Sequence, residues 1–152
     1  MKLTSPAFAA GATIPIAYTA AGVDRSPPLE WAELPVGTRA LALVVDDPDA
    51  PAPKTPWVHW VLANLPPRPS GLPGGVLPEA LPRGAVQGRN DWGRVDYGGP
   101  NPPSGEHHYR FTLYALDSAV SVTQGVSKPE LLHVLRGHIL DQATLIGRFA
   151  RG

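Results

Sequence analysis

Arg39-Ala40-Leu41-Ala42-Leu43-Val44-Val45 runs directly into Asp46-Asp47-Pro48-Asp49-Ala50-Pro51, and a second apolar stretch, Trp57 to Leu65, follows six residues later. The first run is nearly all apolar, the pattern of a strand buried on both faces at the centre of a sheet. Proline removes main-chain donors and aspartate favours turns, so the strand is predicted to end at Asp46. In the second stretch, period-two alternation predicts Trp57, His59, Val61 and Ala63 on one face and Val58, Trp60, Leu62 and Asn64 on the other.

Strand character resumes at Tyr109 to Leu116, with Tyr109, Phe111, Leu113 and Ala115 opposite Arg110, Thr112, Tyr114 and Leu116. His107 shares the first face if the strand begins there, and His108 then points the other way. Thr13 to Tyr18 reads as an edge strand because Pro15 interrupts it, and Ser26 to Trp31 as a short extended segment. Pro66 to Gly105 carries about half of the chain's glycines and prolines and is predicted to be mainly loop, with short strands near Val76 and Val86. Ser127-Lys128-Pro129-Glu130 has the spacing of a capping box with proline in the first turn, and predicts a helix ending at Gly137. Ala143 to Phe149 is predicted to be the last strand. No repeat, charge block or linker divides residues 1–152, so one all-β domain with one or two small helices at its rim is expected.

Composition narrows the function classes. Thirteen Lys and Arg balance thirteen Asp and Glu, so no overall field draws the protein to nucleic acid or to an anionic membrane. The chain has no cysteine, which excludes disulfides, thiolate nucleophiles and cysteine-bound metal. No apolar run approaches the ~18 residues of a membrane span, and Pro6 breaks an N-terminal stretch too weak for a secretory leader. A cytoplasmic protein that is not integral to a membrane is expected.

Two blocks carry a family likeness: Asp47-Pro48-Asp49-Ala50-Pro51 with Trp57-Val58-His59-Trp60, and Asp91 through Tyr97-Gly98-Gly99-Pro100-Asn101-Pro102-Pro103-Ser104-Gly105-Glu106-His107-His108-Tyr109. With the tail Leu135 to Leu140 and Ala143 to Gly147, the sequence from about Ser26 onward resembles the phosphatidylethanolamine-binding protein family, in its short bacterial, Raf kinase inhibitor-like branch. The resemblance implies two antiparallel sheets in a Greek-key β-sandwich and a small anion pocket between the two blocks. Matched residue by residue, the pocket falls on Asp47, Pro51, Trp57, His59, Gly99, His107 and Tyr109. It further implies a small anionic or phosphorylated ligand, a protein partner such as a kinase, and a homodimer, with no cofactor and no metal. Mammalian relatives add a C-terminal helix that brings a tyrosine to the pocket mouth. No counterpart precedes Gly152, so a more open pocket is expected, and Asn101 stands where those relatives have glycine.

The residue types fit an anion site on their own chemistry. An aspartate within a few ångströms raises a histidine pKa from about 6.5, so both imidazoles are expected to be partly charged near neutrality. Gly98 and Gly99 lack a Cβ that would keep main-chain N–H groups from an oxyanion. Each residue also has a plainer explanation: Asp47 as a turn residue, His59 as a hydrogen-bonded core histidine, the glycines as turn formers and the aromatics as core. One aspartate and two histidines could also be the ligands of a metal-dependent enzyme, although their spacing is not diagnostic. No Gly-x-Ser-x-Gly elbow is present. The reading that results is a non-enzymatic small-anion-binding protein; the alternative within the interaction class is docking of a partner on the Pro66 to Gly105 surface.

Overall fold

The computed structural model describes residues 1–151. Strands β1 (Lys2–Thr4), β2 (Leu29–Ala32), β3 (Ala40–Asp47), β4 (Trp57–Leu65), β5 (Gly71–Leu72), β6 (Val86–Gln87) and β7 (Glu106–Leu116) precede helix α1 (Lys128–Leu135) and strand β8 (Ile139–Ala150). They form a three-stranded sheet, β1-β2-β5, and a five-stranded sheet, β6-β4-β3-β7-β8, all antiparallel. No helix among the described residues is long and apolar enough to cross a membrane.

Alternation along β3 and β7 divides the apolar side chains between two cores. Leu41, Leu43, Val45, Tyr109, Phe111 and Leu113 face the smaller sheet. Ala40, Ala42, Val44 and Leu116 face α1, whose Leu131 and Leu135 are fully buried. The larger sheet is thus covered on both faces at its centre, which is why β3 is buried along its whole length. The helix starts as expected: the Ser127 side chain accepts from the Glu130 N–H and Glu130 accepts from the Ser127 N–H.

The alternation predicted for β4 fails at one residue. Val45 pairs with Trp60 but Asp46 pairs with Val58, so His59 is the extra residue of a β-bulge. His59 and Trp60 consequently both face the smaller sheet, and Val61 and Ala63 move to the α1 side. A second irregularity lies at Asn64, which takes a positive φ of 57°. Its amide satisfies both the N–H and the carbonyl of Val120.

Other departures have simple causes. Thr13 to Tyr18 is not a strand: Ile14 donates to the Arg148 carbonyl at the edge of β8, Pro15 cannot donate, and the chain closes into a 3-10 turn over Ile16–Tyr18. No strand forms at Val76; the short strand of that region is β5, and a 3-10 turn occupies Pro78–Ala80. Strand β3 continues through Asp46 and Asp47, because β7 pairs with it as far as Asp46 and β4 as far as Asp47. β1 is a three-residue strand with one buried side chain, Leu3. β8 begins at Ile139, earlier than predicted, because its exposed first residues are held by pairing with β7.

Candidate functional site

Asp47 at the end of β3, His59 in the bulge of β4 and His107 near the start of β7 meet at one end of the inter-sheet side. They open on a cleft of about 330 Å³, walled by Pro51, Trp57 and Trp92 and rimmed by Lys54 and Asn101. The segment from Asn90 to Gly99 holds the bulge in place. Val58 donates to Asp91 Oδ2 at 2.6 Å, and the Asp91 N–H returns a bond to the Val58 carbonyl at 3.0 Å. One residue further on, Gly98 N–H donates to the His59 carbonyl at 3.1 Å and His59 Nδ1 to the Gly98 carbonyl at 2.6 Å. The main-chain groups that the bulge takes out of the ladder are thereby paired again.

His107 is positioned by a carboxylate. Its Nδ1 lies 2.7 Å from Asp47 Oδ2, and Asp47 Oδ1 accepts the Asp49 N–H at 2.8 Å. Asp47 and His107 are both buried. His108 points to the opposite face and bonds the exposed carboxylate of Asp49. Tyr109 lies beneath the cleft, its ring edge-on to His59 at 5.3 Å and stacked on His107 at 6.5 Å. Burial first, and then the charge of Asp47, raise its hydroxyl well above the ordinary phenol range.

Two expectations change. The His59 pKa is lowered, because burial outweighs its hydrogen bond to Gly98 and the attraction of Asp47, Asp46 and Asp24. Its Nδ1–H is committed to a carbonyl, so the neutral ring presents an acceptor, not a donor, to the cleft. Gly99 is not an anion donor: its N–H is donated to Asp24 Oδ1 at 2.8 Å. The absent Cβ is needed for close approach, but to the protein itself, since one on Gly99 would strike Asp24 Oδ1 and the Tyr18 carbonyl. Of the residues placed in the pocket from the sequence, Asp47, Pro51, Trp57, His59 and His107 line the cleft, whereas Gly99 and Tyr109 lie behind it.

Asp47 and His107 bind each other rather than converging with His59 as metal ligands. Among the described residues no three His, Cys, Asp or Glu side chains form a group able to hold a metal ion.

Lys54 and Trp92 line the cleft in addition to the residues expected from the motif blocks. Trp92 packs edge-on against both Trp57 (5.5 Å) and His59 (5.0 Å). Its position inside the second motif block was the available signal. Lys54 bonds Asp91 at 3.3 Å from an exposed position, and an isolated lysine in a proline-rich loop gives no such signal.

The phosphatidylethanolamine-binding protein model matches residues 4–150, a span containing both motif blocks and every strand but the first in full. The chain belongs to the phosphatidylethanolamine-binding protein family. Relatives within this family span the whole length of the chain. The UPF0098 protein of Methanothermobacter thermautotrophicus is 47% identical over 154 residues, covering 100% of both chains. That of Chlamydia muridarum is 42% identical over 98% of each. Among solved structures, a phosphatidylethanolamine-binding protein homologue from Chlamydia trachomatis superimposes with a TM-score of 0.92 at 40% identity, covering 99% of this chain and 97% of that one. E. coli YbcL, described as a member of the mammalian family, superimposes with a TM-score of 0.91 at 31% identity, over 99% and 98%. The two-sheet family fold is therefore that of this chain.

Proposed function

We propose that the cleft binds a small oxyanion, either phosphate or the phosphoryl group of a small molecule, and that the protein is a binding module and not an enzyme. The observation that carries this reading is the His107 imidazole, anchored through Nδ1 on Asp47 and lining the cleft beside His59, with Lys54 at the rim. With Nδ1 held by Asp47, the His107 ring keeps Nε2 as its free nitrogen at the cleft. The phosphatidylethanolamine of the family's description is a phosphate-bearing lipid. No serine or threonine of the described residues lines the cleft, so no hydroxyl side chain stands beside His59 or His107 there as a nucleophile.

Titration calorimetry with inorganic phosphate and phosphoryl-ethanolamine between about pH 5.5 and 8 tests the proposal. Saturable binding that is lost in His107→Ala is expected. Absence of binding across the range, or affinity unchanged in His107→Ala, overturns it.

A further inference from the structure

The ring of His59 is held through Nδ1 by one peptide plane, and that plane is itself held at both ends. The Gly98–Gly99 bond is trans, so the Gly98 carbonyl and the Gly99 N–H point in opposite directions from a rigid planar unit. The carbonyl accepts from His59 Nδ1 at 2.6 Å, and the N–H donates to Asp24 Oδ1 at 2.8 Å. Glycine on either side gives the plane no Cβ to hinder its rotation. Its hydrogen bonds therefore fix its orientation, and losing the bond at one end loosens the other.

The Asp24 end is anchored in a loop, residues 16–25, that is closed on itself. Thr19, fully buried, donates through Oγ1 to the Ile16 carbonyl at 2.9 Å and accepts the Ala21 N–H at 3.2 Å. Gly22 N–H reaches the Thr19 carbonyl and Arg25 N–H the Ala17 carbonyl, each at 3.1 Å. Two further bonds dock the loop on the segment behind His59, from Tyr97 Oη to the Tyr18 carbonyl at 2.7 Å and from Ala20 N–H to the Pro100 carbonyl at 2.9 Å. Both use main-chain groups of the loop, whereas Asp24 contributes its side chain. Asp24 has a φ of 58°, a left-handed backbone that glycine, asparagine and aspartate tolerate. Of these three, glycine brings no side-chain acceptor. Gly99 is buried, so its N–H depends on that acceptor.

We propose that Asp24, which does not line the cleft, is a positioning residue for it: by holding the far end of the Gly98–Gly99 peptide plane it fixes the orientation of the His59 ring. The carboxylate meets no ligand and acts only through the two glycines. The loop of residues 16–25 is thus the back wall of the cleft, although nothing in it reaches the ligand space. The inference concerns His59 and holds whichever ligand the cleft takes; only its affinity readout rests on the oxyanion reading.

Hydrogen exchange of the His59 Nδ1–H, followed by NMR on the intact protein and identified by its loss in His59→Phe, tests the proposal. Asp24→Gly suits the left-handed backbone and removes the acceptor; the Nδ1–H is expected to exchange about tenfold faster or more, with a several-fold loss of affinity for inorganic phosphate in calorimetry. Asp24→Asn keeps both the backbone and an acceptor oxygen while discarding the charge, and is expected to stay close to the wild type. Ser127→Ala, which weakens the fold at α1, is expected to leave the His59 signal unmoved. From the other end, His59→Phe frees the same plane and is expected to speed exchange of the Gly99 amide, a readout that stands even where Asp24→Gly fails to fold. Unchanged Nδ1–H exchange in Asp24→Gly, equal acceleration in Asp24→Asn or Ser127→Ala, or an unaltered Gly99 amide in His59→Phe overturns the inference. A wild-type protein that binds no phosphate removes the oxyanion reading, and the exchange data then decide the positioning role alone.

Discussion

Asp46 and Asp47 are neighbours on β3 with opposite duties. Asp47 turns toward the cleft, whereas Asp46 turns toward α1, where it accepts from Arg110 Nε at 2.8 Å and Nη2 at 3.0 Å and from Lys128 Nζ at 2.7 Å. The Asp46 side chain is 5% exposed, Lys128 19% and Arg110 39%. Asp46→Ala leaves a half-sheltered lysine and a more open arginine without a counterion. Breaking a fully buried pair costs ~3–5 kcal/mol; the partial exposure of both cations reduces this to about 2–3 kcal/mol. For a chain of this size that is a fall in Tm of roughly 5–10 °C. Urea unfolding followed by tryptophan fluorescence, with phosphate calorimetry on the same samples, separates the two aspartates. Asp46→Ala is expected to lose stability with anion affinity little changed, and Asp47→Asn to lose affinity with the smaller change in stability. A loss below about 1 kcal/mol in Asp46→Ala, or an affinity loss matching that of Asp47→Asn, would refute the division of labour.

Two further outcomes follow from local geometry. The unfolded chain binds the His59 proton more readily than the folded protein, so this contribution to stability is complete above the unfolded pKa of about 6.5 and is lost as pH falls through and below it. Urea melts at a series of pH values should show that slope in the wild type and not in His59→Phe; an unchanged slope contradicts the burial argument. Ser127→Ala removes the capping-box acceptor of α1 and should cost about 1 kcal/mol, read as a lowered urea midpoint, with Ser127→Thr retaining most of the stability.

Much of this structure is written in local pattern. The faces of β7, the central position of β3 and the start of α1 follow from alternation and capping chemistry that neighbouring residues supply. What could not be read depends on partners distant in sequence. The bulge at His59 is set by its pairing with Val45 and Asp46 and by the loop at Asp91 and Gly98, so period two carried the assignment of Val61 and Ala63 to the wrong face. Thr13 to Tyr18 alternates like a strand, yet only Ile14 finds a β8 carbonyl before Pro15 ends the pairing. For the cleft, the motif blocks located five of its lining residues. Gly99 was misjudged because its N–H partner, Asp24, lies 75 residues away. The expected charge on His59 reversed because proximity to aspartate was legible and depth of burial was not.

The extra residue in β4 makes the cleft a question of counting as well as of chemistry. In a regular strand, removing one residue would turn every later side chain over to the other face. Removing His59 would do the opposite and restore regular pairing at this point, with Trp60 still opposite Val45 and Val58 still opposite Asp46. The central imidazole is thus an extra residue in the β3–β4 pairing, held there by the Gly98 main chain. Deleting His59 would remove this acceptor while the pairs on either side of it keep their register, whereas a point substitution can only retune it.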